Sequence, residues 1–306
     1  MSTDRAGPAP SQTLLNVCGM PRSGTTMLGL MLASGDEAVS CGEAAAWFRV
    51  ARHRPGATVP DAFAPLKDVS ERTFHRHLMA YHDASFAVDS SKDLDWIIDH
   101  TQWAAESNLQ IYNVLIYKAP VDIALSWWKR GEFDGWYRYY LRYHLQMIYS
   151  GVEFWTVSYD DLVKAPRTTL REICRLTGLP YFEGKEHFWN YDHELLGTNS
   201  SGVRDQLGSG HSEIKKPPIP SDFRSLAKDV RHAARHDRLL QHLLHKLNDR
   251  DVNSVEPFGH PSSPHRYLPG LFPRLSYAAY RALKLPWARF RWNVLEPRIG
   301  PSGAPH

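Results

Sequence analysis

The chain has 306 residues, of which 42% are hydrophobic and 23% charged, a composition typical of globular domains. A net charge of only +3 excludes a molecule-wide electrostatic surface for nucleic acid, so any anion site has to be local. Cys18, Cys41 and Cys174 are too few and too scattered for a disulfide framework or a zinc cluster, and their number favours a reducing compartment.

The N-terminal segment predicts a disordered tail. Residues 1–12 are polar and contain proline, and they lack the apolar run that a signal peptide requires. No stretch of the chain approaches the roughly 18 to 20 uninterrupted apolar residues that cross a bilayer. We therefore expect a cytoplasmic protein.

Strands and helices are predicted to alternate along the chain. Helices are predicted over residues 27–32, over 121–149 with a break near Gly131, and over 166–176, where Gly178 ends the helix. The alternation predicts an α/β fold with a central parallel sheet, in which binding groups lie at the carboxyl ends of the strands. The predicted strands, all short and mostly apolar, cover residues 14–18, 38–40, 86–88, 111–117 and 154–157.

A glycine-bounded loop joins the first predicted strand to the first predicted helix. Gly19 and Gly24 have the spacing of a Walker A loop, but Thr25 stands where that motif has its lysine, and the positive charge lies inside the loop at Arg22. The loop amides and the helix N-terminus can still bind an anion, because this depends on backbone geometry. An ATP-using enzyme needs the lysine and Mg²⁺ for the β- and γ-phosphates. A sulfuryl group carries less charge than a β-phosphate, so it does not require a metal. A glycine turn before a core helix is the alternative interpretation.

The loop closely resembles a known motif. The run from Pro21 to Thr26, followed by Leu28, is similar to the 5′-phosphosulfate loop of sulfotransferases that use 3′-phosphoadenosine 5′-phosphosulfate (PAPS). Its Pro-Arg-Ser-Gly-Thr-Thr form is most similar to protein-tyrosine sulfotransferases and their bacterial relatives. The resemblance spans roughly residues 14–230 and implies a P-loop-like three-layer fold. It also implies that the 5′-phosphosulfate is bound by Arg22, Ser23, Gly24, Thr25 and Thr26.

The family's 3′-phosphate motif is a basic residue at a strand end with a serine eight positions later. Lys118 ends the fourth predicted strand, and Ser126 lies eight residues on. The family usually has arginine at this strand end, and lysine offers a point charge in place of a bidentate fork. The resemblance implies that Lys118 and Ser126 bind the 3′-phosphate. A solvated strand end and a helix-surface serine form the alternative.

The segment Cys41-Gly42-Glu43 resembles the Cys-Gly-Glu of tyrosine sulfotransferases, whose glutamate is the proposed base. An acceptor hydroxyl loses its proton as it attacks sulfur, and a carboxylate within hydrogen-bond reach can take that proton. Glu43 is also a favourable residue at a helix start, where the helix dipole attracts negative charge. Both interpretations stay open, and the base is favoured.

The Ser-Ser-Lys run that ends at Lys92 resembles the family's lysine over the leaving oxygen. A cation there stabilises the charge that builds up as the S–O bond breaks, a role that Arg22 shares. The competing interpretation takes residues 86–89 as a Walker B strand with Asp89 on Mg²⁺. Without a Walker A lysine, this alternative is the weaker one.

Later matches are less specific. Tyr159 stands where the family has a tyrosine near the adenine nucleotide, and a hydrogen-bonded core tyrosine accounts for it equally well. Ser201, Arg204 and Lys216 fall where the family has a loop that closes over the nucleotide. The resemblance implies donor-binding roles for Tyr159, Ser201 and Lys216, although an ordinary structural role is the more frequent explanation for each of the loop residues.

The 16 histidines form no metal-ligand pattern in the sequence. We expect His53, His75, His77 and His82 to be surface residues of an insertion, with a histidine base as the alternative to Glu43. An aromatic group after the 3′-phosphate helix is expected to be mainly core, yet it is the best candidate for contacts with the acceptor. This group comprises Trp127, Trp128, Trp136, Tyr137, Tyr139, Tyr140 and Tyr143.

The predicted organisation is a disordered segment at 1–12, a catalytic domain at 13–255 and a proline-rich, aromatic and basic extension at 256–306. Residues 271–295 combine apolar side chains with arginines. They suit peripheral contact with an anionic membrane, or packing on the sheet or on a second subunit of a homo-oligomer. The second interpretation is favoured because two prolines interrupt the segment.

The sequence therefore predicts a PAPS-dependent sulfotransferase that acts on a hydroxyl without a metal. Two alternatives stay open: a P-loop nucleotide or small-molecule kinase, and a catalytically inactive nucleotide-binding protein on the same fold. The acceptor is not identified by the sequence. A small molecule or a glycoconjugate is favoured over a protein tyrosine, because tyrosine sulfotransferases work in a secretory lumen and this chain shows no signal peptide. Nucleic acid is not expected as a partner.

Overall fold

A computed structural model describes residues 12–53, 61–107, 109–193, 195–196, 214, 216 and 218–253. Nearly all of the predicted N-terminal tail lies outside these residues. The predicted C-terminal extension, including residues 271–295, also lies outside them. The described part of the chain holds the predicted phosphate loop and every predicted strand.

The described strands form one fully parallel sheet, which confirms the predicted α/β class. The strand order is β2-β3-β1-β4-β5, so the first strand lies in the middle. Its register pairs Cys18 with Leu115 of the fourth strand and Asn16 with Asp89 of the third. The strands are β1 (Thr13–Cys18), β2 (Ala38–Gly42), β3 (Phe86–Asp89), β4 (Gln110–Tyr117) and β5 (Trp155–Ser158).

Helices are present at the three places predicted in the sequence analysis, near residues 27–32, 121–149 and 166–176. The predicted break in the long aromatic-rich region is a short 3₁₀ turn, Phe133–Gly135, and Gly178 ends its helix in the left-handed conformation with φ 75°. The helices are α1 (Thr25–Ala33), α2 (Ala44–Arg49), α3 (Phe74–Tyr81), α4 (Leu94–Ser107), α5 (Pro120–Trp128), α6 (Trp136–Ile148), α7 (Tyr159–Lys164), α8 (Pro166–Thr177), α9 (Arg224–His236) and α10 (Arg238–Asn248). Within the described residues, no helix combines the length and hydropathy of a membrane span.

Alternate residues of β4 face two different helical layers. Leu115 and Tyr117 pack with α5, α6, α9 and α10, whereas Val114 and Ile116 pack with α1 and α8. This alternation follows from the two-residue period of a strand, and burial on both faces explains why β4 is almost continuously apolar. The result is the predicted arrangement of three layers.

A third apolar cluster joins α2, α3 and α4 beside β2 and β3. Phe48 of α2 packs against Phe74 of α3 and Trp96 of α4, with ring centroids 5.1 and 5.6 Å apart. Ring pairs at such separations stabilise beyond their buried area. This packing fixes the starts of α2 and α4 relative to each other, next to Glu43 and Lys92.

Helix α6 is joined to the start of the phosphate loop by one buried hydrogen bond. The amide of Gly19 donates to the hydroxyl of Tyr143, with nitrogen and oxygen 2.9 Å apart. Tyr143 is 6% exposed, and Gly19 is buried at the end of β1. The tyrosine hydroxyl therefore accepts a hydrogen bond from the Gly19 amide, which lies just beyond the last residue of β1.

Tyr143→Phe is expected to lower the free energy of unfolding by about 1–3 kcal/mol, because it leaves the Gly19 amide buried without an acceptor. Urea denaturation at neutral pH measures this loss. Tyr149→Phe is the matched control, since Tyr149 is 59% exposed, and it is expected to leave the free energy of unfolding nearly unchanged. Equal effects of the two substitutions would contradict the assigned role of the hydroxyl.

Candidate active site

The phosphate loop is built around two glycines that no other residue can replace without a shift. A Cβ atom on Gly19 would lie 2.7 Å from the carbonyl oxygen of Ile116, and one on Gly24 would lie 2.8 Å from the ring of Tyr159. Gly24 has φ 108°, and it is the N-cap residue of α1. The loop is therefore closed tightly against β4 on one side and against Tyr159 on the other.

The side chains of the loop alternate between inside and outside. Ser23 is fully buried and its amide donates to the Met20 carbonyl oxygen at 3.1 Å, while Thr25 is 2% exposed. Arg22 is exposed, and Thr26 is half-buried. Arg22 and Thr26 are thus the loop side chains that can reach a ligand, and the first-turn amides of α1 face the same way because they have no partner within the helix.

Arg22 adopts a backbone conformation that is rare for a residue with a side chain. Its φ is 76°, in the left-handed region. Such a conformation costs on the order of 1 kcal/mol or more and is concentrated at functional sites. The strain holds a guanidinium on the rim of an anion-binding turn.

Lys118 and Tyr159 lie together beside the loop. The Lys118 ammonium is 4.1 Å from the centroid of the Tyr159 ring, and the edge of that ring contacts Gly24. Tyr159 is 9% exposed and belongs to the core cluster of α1 and α8. Tyr159 is therefore a core residue that also borders the loop, and its role in binding a donor stays a prediction.

Burial, and then the nearby positive charge of Arg22, lower the pKa of Lys118 to about 8. The two cations repel each other because they share one small region. An anion placed between them would relieve this repulsion and would favour the charged form of Lys118. The two cations make this a region of the chain where anions are favoured.

Ser126 and Lys216 border the same region but already have protein partners. The Ser126 hydroxyl donates to the Asp122 carbonyl oxygen at 3.0 Å. The Lys216 ammonium pairs with Asp122 at 2.5 Å and with Asp160 at 2.8 Å. Asp122 and Asp160 are functional-site neighbours that the sequence reasoning missed. Their positions after Lys118 and Tyr159 were the available signal. Ser201 and Arg204 lie outside the described residues.

Glu43 and Lys92 meet at the carboxyl ends of β2 and β3. The Lys92 ammonium lies 2.5 Å from Oε1 of Glu43, and the two side chains are 13% and 15% exposed. Glu43 occupies the position before α2, yet its side chain makes no capping hydrogen bond to that helix. The carboxylate pairs with Lys92 without capping the helix, although its place at the start of α2 also suits the helix dipole. Both interpretations of Glu43 stay open.

Asp89 is not placed to hold Mg²⁺. Its carboxylate is completely buried and accepts hydrogen bonds from the Ser91 amide at 2.7 Å, from His75 at 2.8 Å and from the Trp96 indole at 2.9 Å. These three donors come from three different segments of the chain and surround the carboxylate in the core. The Walker B interpretation of this strand is not supported.

The surface assignment of His75 is wrong. His53, His77 and His82 are exposed as expected, but His75 is 2% exposed and paired with Asp89. Its helix, α3, buries Phe74, Leu78 and Met79 on the same face as His75. His75 lies four residues before Met79, so the apolar pattern of the helix was a signal that could have placed it in the core.

His75 and Asp89 also approach Cys41, with one potential ligand atom of each lying within 4.8 Å of the others. The Cys41 thiol donates to the Val88 carbonyl oxygen at 3.1 Å. Burial and the charge of Asp89 raise the pKa of Cys41 well above its ordinary value, which keeps the thiol protonated. Cys41, His75 and Asp89 therefore pack as a hydrogen-bonded group in the core.

The aromatic group of α5 and α6 divides into core and surface. Trp136, Tyr140 and Tyr143 are buried, as expected for core residues. Tyr139 is 39% exposed, and its ring lies 5.3 Å from that of half-buried Trp127. Within the described part of this group, Tyr139 and Trp127 present an aromatic face that a ligand can contact.

Comparisons with known proteins give a limited result. No protein-family model matches the chain, and no curated protein matches it. The chain is similar to the solved sulfotransferase domain from the Synechococcus PCC 7002 olefin synthase, with 17% identity over 75% of this chain and 98% of that domain and a TM-score of 0.49. It is also similar to the sulfotransferase domain from the curacin biosynthetic pathway, with 15% identity over 74% of this chain and 99% of that domain and a TM-score of 0.46. Likenesses at this level do not indicate an activity, so the chemistry has to come from the chain's own residues.

The low pKa of Lys118 predicts a pH-dependent affinity for adenosine 3′,5′-bisphosphate. Lys118 is charged below pH about 8 with or without an anion, so affinity is expected to be flat there. Above that pH, binding requires proton uptake, and affinity is expected to fall by up to about tenfold per pH unit. Calorimetry from pH 7 to about pH 9.5, in buffers with different ionisation heats, measures both the affinity and the proton uptake.

Lys118→Arg is the matched control, because arginine stays charged throughout this range. Its affinity for the bisphosphate is expected to be independent of pH in the same buffers. A flat profile for the unsubstituted protein, without proton uptake, would contradict binding of the anion by a Lys118 whose pKa is lowered to about 8.

Proposed function

We propose that the protein transfers a sulfuryl group from PAPS to the hydroxyl of an acceptor. The observation that carries this proposal is the contact between Glu43 and Lys92, 2.5 Å apart, beside a phosphate loop that lacks the Walker lysine. A carboxylate and an ammonium at one point provide a proton acceptor and a stabiliser of negative charge together.

The strand order supports one orientation of the donor. Because β1 lies between β3 and β4, the phosphate loop lies between Lys92 on one side and Lys118 on the other. In this orientation the 5′-phosphosulfate contacts Arg22, Thr26 and the first-turn amides of α1. The 3′-phosphate then lies towards Lys118 and Ser126, and the ring of Tyr159 lies between the two ends.

The reaction proceeds as an in-line displacement at sulfur. The acceptor oxygen forms a bond to sulfur while its proton passes to the carboxylate of Glu43. The bond between sulfur and the bridging phosphate oxygen breaks, and adenosine 3′,5′-bisphosphate leaves. Lys92 and Arg22 offset the charge on that bridging oxygen, which is where negative charge develops. No step calls for a metal ion.

The proposed acceptor is a small molecule or a glycoconjugate, with a protein tyrosine as the alternative. Tyr139 and Trp127 offer an aromatic face near the start of the loop, and such faces suit sugar rings and phenols. A cytoplasmic location is part of the proposal. Screening labelled PAPS against pooled metabolites, glycans and peptides identifies the acceptor class.

Adenosine 3′,5′-bisphosphate is expected to bind equally well with EDTA and with Mg²⁺, because amides and cationic side chains hold it. Calorimetry and thermal protection measure this binding, with ATP plus Mg²⁺ as the matched comparison. A kinase would reverse the pattern, binding ATP only with the metal. Absence of any heat or thermal protection with the bisphosphate would refute the proposed donor.

Glu43→Gln is expected to lower turnover by about 10²- to 10⁴-fold, the usual contribution of a positioned base, and to leave the affinity for the bisphosphate nearly unchanged. Transfer of labelled sulfate to the pooled acceptors measures turnover. Glu132→Gln, at an exposed position, is the matched control. Full turnover in Glu43→Gln would exclude Glu43 as the base. An inactive binding protein would instead bind the bisphosphate and transfer no sulfate in its unsubstituted form.

A further inference from the structure

Two turns, after β2 and after β3, are fastened to each other by their own hydrogen bonds. The amide and the hydroxyl of Ser90 both donate to the Gly42 carbonyl oxygen, at 2.8 and 2.9 Å. The amide of Ala45 donates to the Ser91 hydroxyl at 2.9 Å. These bonds bracket Glu43 on one turn and lead directly to Lys92 on the other.

The turn after β3 is also hydrogen-bonded to the buried carboxylate of Asp89. Asp89 accepts the amide of Ser91 on one oxygen, and on its other oxygen it accepts the ring N–H of His75 and the indole N–H of Trp96. The side chains of Asp89, His75 and Trp96 are each 2% exposed or less. One carboxylate thereby ties the end of β3 to α3 and to α4.

The electrostatic surroundings keep Asp89 ionised. Burial opposes its charge, but the hydrogen bond and attraction of His75, together with the Ser91 hydrogen bonds, lower its pKa below the ordinary value. His100 packs against His75 with ring centroids 4.8 Å apart, and burial, with the repulsion of His75, lowers its pKa to about 4. The nearby thiol of Cys41 stays protonated. An ionised carboxylate accepts three hydrogen bonds here, which its neutral form does not do as well.

We infer that Asp89 and Ser91 are positioning residues that hold Lys92 against Glu43 in the geometry that the transfer step needs. The inference rests on the proposed function. Neither residue touches the reacting atoms. Asp89 orients the peptide of Ser91, and the Ser91 hydroxyl accepts a hydrogen bond from the first turn of α2. These two restraints fix the backbone that carries Glu43 and Lys92, and so fix the positions of the two catalytic side chains. A misplacement of about 1 Å at such a pair lowers a rate by about 10²-fold.

Two variants separate the restraints. Ser91→Ala removes the bond to the Ala45 amide and keeps the buried carboxylate. Asp89→Asn keeps the shape of the side chain but replaces one of its two accepting oxygens with an NH₂ group, which can only donate. Asp83→Asn is the matched control for the second variant, because Asp83 is exposed and its φ of 52° suits asparagine.

Ser91→Ala and Asp89→Asn are expected to lower kcat for sulfate transfer by about 10- to 100-fold. The KM for PAPS and the affinity for the bisphosphate are expected to stay within about twofold, because the donor contacts are on other strands. Asp83→Asn is expected to leave kcat, the KM for PAPS and the affinity for the bisphosphate unchanged. Hydrogen–deuterium exchange of residues 42–46 and 90–93 reports the restraint itself, and exchange at Ala45 is expected to accelerate in Ser91→Ala.

Native kcat in folded Ser91→Ala would overturn the inference, as would a parallel loss of kcat and of bisphosphate affinity, which indicates general unfolding of the site. If Asp89→Asn does not fold, Ser91→Ala alone decides. If the unsubstituted protein transfers no sulfate, the proposed function fails. Hydrogen–deuterium exchange then shows separately whether Ser91 restrains the first turn of α2. Unchanged exchange at Ala45 in Ser91→Ala would show that the Ser91 hydroxyl does not restrain the first turn of α2, whatever the activity of the variant.

Discussion

Parallel pairing of all the described strands is the constraint on which the site depends, because it brings every carboxyl end to one edge of the sheet. A single antiparallel strand would carry its catalytic residue to the opposite edge, about 15–20 Å away. The central position of β1 then decides the order of groups along that edge. Glu43 and Lys92 lie on one side of the phosphate loop and Lys118 lies on the other, so the proposed base and the proposed 3′-phosphate site are separated by the loop.

The features that local sequence patterns encode were predictable. Strand positions, the helix end at Gly178 and the tight loop at Gly24 follow from apolar periodicity and from backbone freedom, both of which act over a few residues. The approach of Glu43 to Lys92 was predictable only in outline, since motif order and a parallel sheet place them at one edge. Only the structure shows that Lys92 lies 2.5 Å from Glu43 and that the Glu43 side chain does not cap α2.

The features that distant partners decide were not predictable. The apolar face of α3 could have placed His75 in the core, but its pairing with Asp89, 14 residues away in the chain, needed the structure. Asp122 and Asp160 were missed because a carboxylate near a predicted anion site looks unfavourable when taken alone. In the folded chain they pair with Lys216, close enough to Lys118 for all three charges to act on it. The local positive charge is therefore partly balanced by carboxylates of the chain itself.

The packing of Thr25 limits which side chain the turn can hold at this position. Thr25 is 2% exposed, and its methyl carbon would lie 2.8 Å from a Cβ atom on Gly19. A lysine in its place would have to bury an ammonium inside the turn or force the turn open. A lysine at position 25 is therefore incompatible with the present packing of the turn unless neighbouring residues shift. The proposed donor, whose sulfuryl group needs no lysine at that position, is consistent with this packing.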